Sequence, residues 1–353
     1  MAILGRLLGP NKPTISEIEN AFQPAKEVTS ADRFAGRKQQ VSDSYHALLS
    51  AGTNIAVIGN RGIGKTSLAT QIMNIGGGEL SLLDRLSVPH DEKPDFLTMY
   101  FACGRTTKTT GDLLEKLLTS HACLADWIYD VPAARKIATG ASPKLTAKVL
   151  GIGGELSTNA TTEEIHQRPA LEQSIDVVFS NVANAIAGEG VARDGLLIVV
   201  DEFDQIEDRS GFASLLKALA TNAPKVRFCI VGVATDIQDL MKEHASADRL
   251  FAGSIIALPS MTEAELRQII DIAEKQIGKY ITFEAGAKDR LAQLAQGHPY
   301  MVHLIGKYAL RSAHQIDRRT ISKEDINITL LSLKVAIAKP LHPLLSVKLF
   351  CVR

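Results

Sequence analysis

The stretch Asn54-Ile-Ala-Val-Ile-Gly59-Asn60-Arg61-Gly62-Ile63-Gly64-Lys65-Thr66-Ser67 decides how this chain is read. An apolar run of strand character empties into a glycine loop and then into the helix-prone Ser67-Leu-Ala-Thr-Gln-Ile-Met. Gly59 and Gly64 bracket four residues in the order G-x-x-x-x-G-K-[ST], and Gly62 lets the loop from Gly59 to Ser67 curl until successive backbone N–H groups point inward. Converging donors of this kind need an anion. The helix starting near Lys65 adds its positive end, Lys65 can reach the β- and γ-phosphates of a nucleotide, and the Thr66 hydroxyl is placed to ligate Mg²⁺. A chance glycine loop is the weaker account, because the strand before it and the helix after it are the surroundings that this pattern requires.

Composition sets the frame around that cradle. At 353 residues the chain is long enough for about two domains with a large core. Lys+Arg and Asp+Glu both number 39, so no global charge favours nucleic acid or an anionic membrane surface, although a local basic patch stays open. The four cysteines, Cys103, Cys123, Cys229 and Cys351, are far apart, which points to reduced thiols and a cytoplasmic setting. The longest apolar runs are strand-sized, Pro10 and Pro13 interrupt the N-terminal one, and no export signal or membrane span is expected.

A second stretch, Gly195-Leu-Leu-Ile-Val-Val-Asp201-Glu202-Phe-Asp204, has the composition of a strand buried on both faces. Its carboxylates emerge at the C-terminal end, where ligands bind in open α/β sheets. Alone, this is a weak signal; downstream of the glycine loop it reads as an acid pair. Asp201 would hold Mg²⁺ through water, and Glu202 would orient and deprotonate the water attacking the γ-phosphate. A GTPase would need Asn-Lys-x-Asp after the loop, and the Asn-Lys of this chain, Asn11-Lys12, precedes it.

The remaining elements follow by pattern. Strands are expected over 95–103 and 226–232, a helix over 106–120, and another over 169–187. The glycine-rich, Thr/Ser-rich segment near 130–167 reads as an insertion in which 144–150 and 155–158 could pair as a hairpin. From Met261 the pattern turns helical, opening on the capping box Thr262-Glu-Ala-Glu265.

These ordered motifs, together with the Phe34-Ala-Gly36-Arg37 turn some 20 to 25 residues ahead of the glycine loop, resemble AAA+ ATPases of the origin-recognition-like and STAND group. The resemblance covers about residues 31–335. It implies an α/β fold, a P-loop NTPase αβα sandwich with a parallel sheet, followed by a small α-helical lid. The implied division is an N-terminal arm (1–30), a core (31–260), the lid (261–336) and a short tail (337–353) too short for a winged helix. By the same resemblance Phe34, Gly36 and Arg37 would lie near the adenine, the alternative being a surface turn capping a helix. Thr235 or Asp236, after the strand Val226-Arg-Phe-Cys-Ile-Val-Gly232, would sense the γ-phosphate. Arg249 would be an arginine finger or a surface salt-bridge partner. Gly297-His298-Pro299 resembles a Gly-x-Pro motif, by which His298 and Pro299 would meet the nucleotide; the residues alone favour His298 and His303 as satisfied helix-start and core histidines, with His298 facing the γ-phosphate the alternative. The implied function is hydrolysis of ATP with Mg²⁺, coupled to lid motion over the nucleotide and to an unidentified macromolecular partner, protein or DNA, with ATP-dependent self-association possible. A slow nucleotide-gated signalling or defence switch is the alternative, and a replication-initiator-like ATPase the third.

Overall fold

The computed structural model describes residues 12–141, 174–241 and 248–337. The hairpin expected within 144–158 and the tail beyond 337 lie outside the described residues, as do residues 242–247 ahead of Arg249. Two compact units emerge: one takes in 38–61, 68–141, 174–241 and 248–258, the other 12–37, 62–67 and 259–337.

The first unit is built on a five-stranded, all-parallel sheet. Its strands are β1 (Ile55–Gly59), β2 (Phe96–Ala102), β3 (Gly195–Asp201), β4 (Val226–Gly232) and β5 (Ile255–Leu258), in the spatial order β2-β3-β4-β1-β5. β3 is buried at every position, as its unbroken apolar run requires of a strand covered on both faces. Gly195 fixes its register. With φ at +97° and a built Cβ only 2.2 Å from the Lys225 carbonyl oxygen, no larger residue fits where Leu196 N–H donates to that same oxygen.

Helices α2 (Lys38–Leu49), α3 (Lys65–Gly76) and α4 (Ser81–Leu86) lie around β1 in the chain. α5 (Thr110–Thr119) opens on a reciprocal cap between Thr109 and Asp112. Its Leu113, Leu114, Leu117 and Leu118 share one core cluster with Val178, Phe179, Val182 and Ile186 of α8 (Ile175–Gly188). Between them, α6 (Leu124–Ile128) and α7 (Pro132–Thr139) pack into that cluster too, so the start of the expected insertion is ordinary core helix. α9 (Phe212–Asn222) and α10 (Ile237–Met241) follow β3 and β4. The sequence reading missed β5: four residues with alternating burial give too short a pattern to assign by periodicity.

The strand order places a switch point. β1 connects leftward to β2 while its neighbour β4 connects rightward to β5, so adjacent crossovers leave in opposite directions at the C-terminal edge. Ligands of open α/β sheets bind in such crevices, and the loop leaving β1 is the glycine loop.

The second unit is helical. α11 (Glu263–Gln276) starts at the expected Thr262–Glu265 capping box, followed by α12 (Ala285–Ala295), α13 (Pro299–Gln315) and α14 (Lys323–Ile337). A two-residue parallel ladder, Thr282–Phe283 (β6) with Thr320–Ile321 (β7), went unforeseen. The arm helix α1 (Ile15–Ala21), capped by Thr14 and Glu17, packs on α13. Glu19 there pairs with Arg311 and, at 3.1 Å, with Lys307; Arg311 first and Lys307 second hold its carboxyl down at about 2. Phe22 lies against Gly306, where a built Cβ would come within 2.7 Å of the ring.

His303 of α13 stands edge-on to Phe22 with ring centroids 6.0 Å apart, and its Nδ1 accepts the Gln23 N–H at 3.3 Å. Burial, with a smaller push from the Arg33 charge, lowers its pKa from 6.5 to about 4. A buried neutral imidazole makes folding pH-dependent. The unfolded chain takes up the proton first as pH falls, so stability is full above 6.5 and roughly 3 kcal/mol of it is lost between 6.5 and 4. Thermal melts of the wild type and His303→Gln across that window should therefore diverge, the wild type losing more with each step down. A constant difference between the two would mean His303 is not buried as described.

Candidate functional site

In the sheet unit, the ends of β1, β4 and β3 form one edge. Ile58 pairs with Gly232 and Val200 with Ile230, so Gly59 and Asp201 leave the sheet on the same side with β4 between them. Two strand spacings and a two-residue stagger put them roughly 12 Å apart. Asp201 is 3% exposed. Its Oδ2 accepts the Tyr100 hydroxyl at 3.0 Å from the adjoining β2, and its Oδ1 accepts the Glu202 N–H at 2.7 Å. Both bonds fix the carboxylate while leaving acceptor capacity on each oxygen.

Glu202 is exposed and left-handed, with φ at +53°. This conformation is uncommon for a residue with a side chain. A 3₁₀ turn, Phe203–Gln205, follows it at once: Gln205 N–H donates to the Glu202 carbonyl at 2.8 Å, and the buried Phe203 ring lies 4.8 Å from that of Phe212. The carboxylate is thereby presented outward from a turn anchored in the core.

After β4, Thr235 and Asp236 are both exposed, but their side chains differ in engagement. Asp236 Oδ1 accepts the Asp239 N–H at 2.7 Å and so caps α10, whereas the Thr235 hydroxyl approaches Asp236 at 3.5 Å. Arg249 is exposed in a 3₁₀ turn, Asp248–Phe251, ahead of β5. The next residue, Leu250, accepts from the Asn54 side chain just before β1. That is the N-terminal edge of the sheet, so the fold does not bring Arg249 together with Asp201 and Glu202 of its own chain.

The helical unit includes the rest of the loop. Gly62 and Gly64 have φ of +75° and +99°; a Cβ on Gly62 would lie 3.8 Å from Tyr300, and one on Gly64 3.9 Å from Pro299. The expected Gly297-His298-Pro299 turn, at the start of α13, is thus gathered at the loop. Gly297 is required there, since its Cβ would meet Ser260 at 2.5 Å where Met261 N–H donates to the Gly297 carbonyl. His298 is the N-cap residue of α13 by position, without a side-chain cap, and is half-buried. Ser67 Oγ accepts the Val28 N–H at 3.0 Å, fastening the arm to the loop.

Arg37 is 4% exposed and Phe34 likewise. Its guanidinium donates to the Pro259 carbonyl at 2.7 Å and the Ile63 carbonyl at 3.2 Å, while its own N–H donates to Glu265 at 2.7 Å. Burial lowers the Arg37 pKa, and against its own burial the Glu265 carboxyl is held low by the Arg37 and Thr262 N–H groups. Arg37 therefore braces the glycine loop from behind.

The amino-acid sequence matches the Novel STAND NTPase 1 family over residues 21–327. The chain belongs to this nSTAND1 family. Among solved structures, the nSTAND1 chain is similar to Cdc6p of Pyrobaculum aerophilum, with 14% identity and a TM-score of 0.52 over 91% of this chain and 74% of that one. It is also similar to Orc1 of Aeropyrum pernix, solved in complex with DNA, at 14% identity and TM-score 0.49 over 92% and 73%. The Thermotoga maritima RuvB Holliday junction branch migration motor is 17% identical, with TM-score 0.46 over 87% and 72%. The likeness to Cdc6p speaks for the fold alone, the α/β P-loop fold of AAA+ ATPases. No curated protein matches.

The nSTAND1 residues suit a nucleotide with Mg²⁺. The first turn of α3, which contains Lys65 and Thr66, holds no acidic residue of its own to oppose an anion at its positive end. Mg²⁺ in such sites keeps most of its waters and takes one or two protein ligands beside the phosphates. Thr66 and Asp201 are of that kind, and among the described residues no cluster of three or more His, Cys, Asp or Glu side chains could hold a metal instead. Cys103, whose N–H donates to the Asp201 carbonyl at 2.8 Å, is buried, and that burial, partly offset by the Lys116 charge and reinforced by the nearby carboxylates, pushes its thiol up to about 12. Nor is any helix among the described residues long and apolar enough to cross a membrane. Sequence reasoning missed Tyr100, because only the pairing of β2 with β3 reveals that it touches Asp201.

Proposed function

We propose that this nSTAND1 chain binds ATP with Mg²⁺ and hydrolyses it to ADP and phosphate. The observation that carries the reading is the edge of the sheet, where a glycine loop opening a helix without acidic residues leaves β1 and the Asp201–Glu202 pair leaves β3. In this reading the backbone N–H groups from Asn60 to Ser67 cradle the phosphates and Lys65 pairs with the β- and γ-oxygens. Thr66 and Asp201 would hold Mg²⁺, which supplies charge neutralisation on the phosphate oxygens. Glu202 orients a water and takes its proton as the water attacks phosphorus, and ADP leaves with the bonding pair. Thr235 is the better sensor of the two candidates, since Asp236 is engaged as a helix cap.

The nucleotide state would reach the helical unit through the start of α13, because Pro299 and Tyr300 stand beside Gly64 and Gly62. A γ-phosphate present or absent at the loop changes what those residues meet, and a difference in contact energy is what shifts a conformational equilibrium. Membership in a STAND family, and an Arg249 remote from the acids of its own chain, favour slow turnover used as a reset of a switch. Any finger role for Arg249 would be toward a second copy.

Steady-state phosphate release with and without duplex DNA, beside sizing chromatography with a non-hydrolysable ATP analogue, separates the readings. Slow basal release with analogue-dependent assembly supports the switch; fast release, or release stimulated by DNA, supports a motor or loader. No release under any condition, with ATP bound, would leave a binding protein and overturn the enzyme assignment.

A further inference from the structure

We propose that Arg209 is a positioning residue that locks the turn carrying Glu202 to the turn carrying Thr235, so that the two groups move as one unit. Its catalytic consequence rests on the ATPase reading above; its structural consequence rests on geometry alone.

Arg209 is 5% exposed. Its Nε donates to the Ile206 carbonyl at 2.9 Å, Nη2 to the Asp204 carbonyl at 2.6 Å, and Nη1 to the Leu240 carbonyl at 2.6 Å and the Asp239 carbonyl at 3.4 Å. The guanidinium also lies over the Phe203 ring, 5.6 Å from its centroid. All four acceptors are backbone carbonyls. Two follow Glu202 by two and four residues; the others follow Thr235 by four and five. One rigid fork of donors therefore joins the turn that leaves β3 to α10, the short helix that the Thr235 loop enters after β4, a reach that an ammonium on a flexible stem cannot reproduce.

Neighbouring contacts remove the slack. Asp204 Oδ1 accepts the Val233 N–H at 2.8 Å, a second bridge, from that turn to the loop leaving β4. Gly232 sits between them with no room for a side chain, its built Cβ falling 2.4 Å from Leu240 and 3.1 Å from Asp204 Oδ1. On the far flank, Asp208 exchanges backbone hydrogen bonds with Lys108 and Thr110 at 2.9 and 3.1 Å. A buried cation that only filled space would cost desolvation without return. Here it holds open a left-handed Glu202 that would otherwise relax toward ordinary backbone angles. If the clamp loosens, the carboxylate is displaced while the glycine loop is untouched, so turnover and not nucleotide affinity should suffer.

The test uses the full chain with Arg209→Met and Arg209→Lys, reading ATP-analogue affinity, steady-state kcat and KM, and hydrogen exchange. The expected result is a KM within about threefold of wild type and a kcat lowered about 10- to 100-fold, as small misplacements of a reacting group cause. Exchange should quicken in 202–206 and 233–241 together, with the β3 and β4 amides still protected. Should Arg209→Met fail to fold, Arg209→Lys carries the same measurement, as its ammonium cannot serve all four carbonyls. If the wild type releases no phosphate, the ATPase reading fails separately, and joint loosening of the two loops still decides the clamp. Loosening of one loop alone, or unchanged exchange and kcat in a folded variant, overturns the proposal.

Discussion

Lys65→Ala is expected to abolish ATP binding at concentrations that saturate the wild type. Lys65 is the first residue of α3, half-buried, at the end of a loop in which Gly62 and Gly64 both adopt positive φ. A unit charge about 4 Å from a phosphate oxygen interacts with about 4 kcal/mol at an effective dielectric near 20, close to a thousandfold in Kd. The fold should survive, because the side chain contributes no part of either hydrophobic cluster. Titration with a fluorescent ATP analogue measures the loss directly. Melting provides a second reading: ATP raises the wild-type Tm by mass action and should leave the variant's unmoved. An unchanged Kd in Lys65→Ala would remove the phosphate cradle, and the ATPase with it.

How far the site could be read from sequence depended on whether the relevant contact was local. The glycine loop, the β3 strand and its acids, and the Thr262 cap are each written in a few consecutive residues, and all stand where the pattern placed their elements. Phe34 and Arg37 were found as a motif, but the use of the Arg37 guanidinium, bracing Ile63 and Pro259 carbonyls, depends on residues 26 and 222 positions away. Tyr100 is legible only once β2 and β3 are known to pair with Ala102 opposite Asp201. Arg209 gives no signal at all, because its partners are carbonyls and carry no residue identity. β5 escaped for a different reason: four residues of alternating burial carry too little periodicity to outweigh a loop.

Glu202→Gln should keep nucleotide binding and lose turnover. The substitution preserves size and a left-handed backbone that either side chain must tolerate equally, and it leaves the N–H that donates to Asp201 in place. What it removes is the ability to accept a proton, worth about 10²- to 10⁴-fold for a general base. Other carboxylates at this edge are poorly placed to substitute. Asp204 is engaged by the Val233 N–H and Asp201 by Tyr100 and Glu202, while the Glu202 carboxylate has no hydrogen bond among the described residues. Phosphate release should therefore fall by at least two orders of magnitude as analogue Kd stays within a few-fold. Because ATP would persist once bound, any assembly that the wild type forms only with a non-hydrolysable analogue should form in this variant with ATP itself. Release at the wild-type rate would falsify Glu202 as the base. Lost release without such trapping, where the wild type does assemble with the analogue, would instead detach self-association from the γ-phosphate and leave hydrolysis with no conformational consequence to reset.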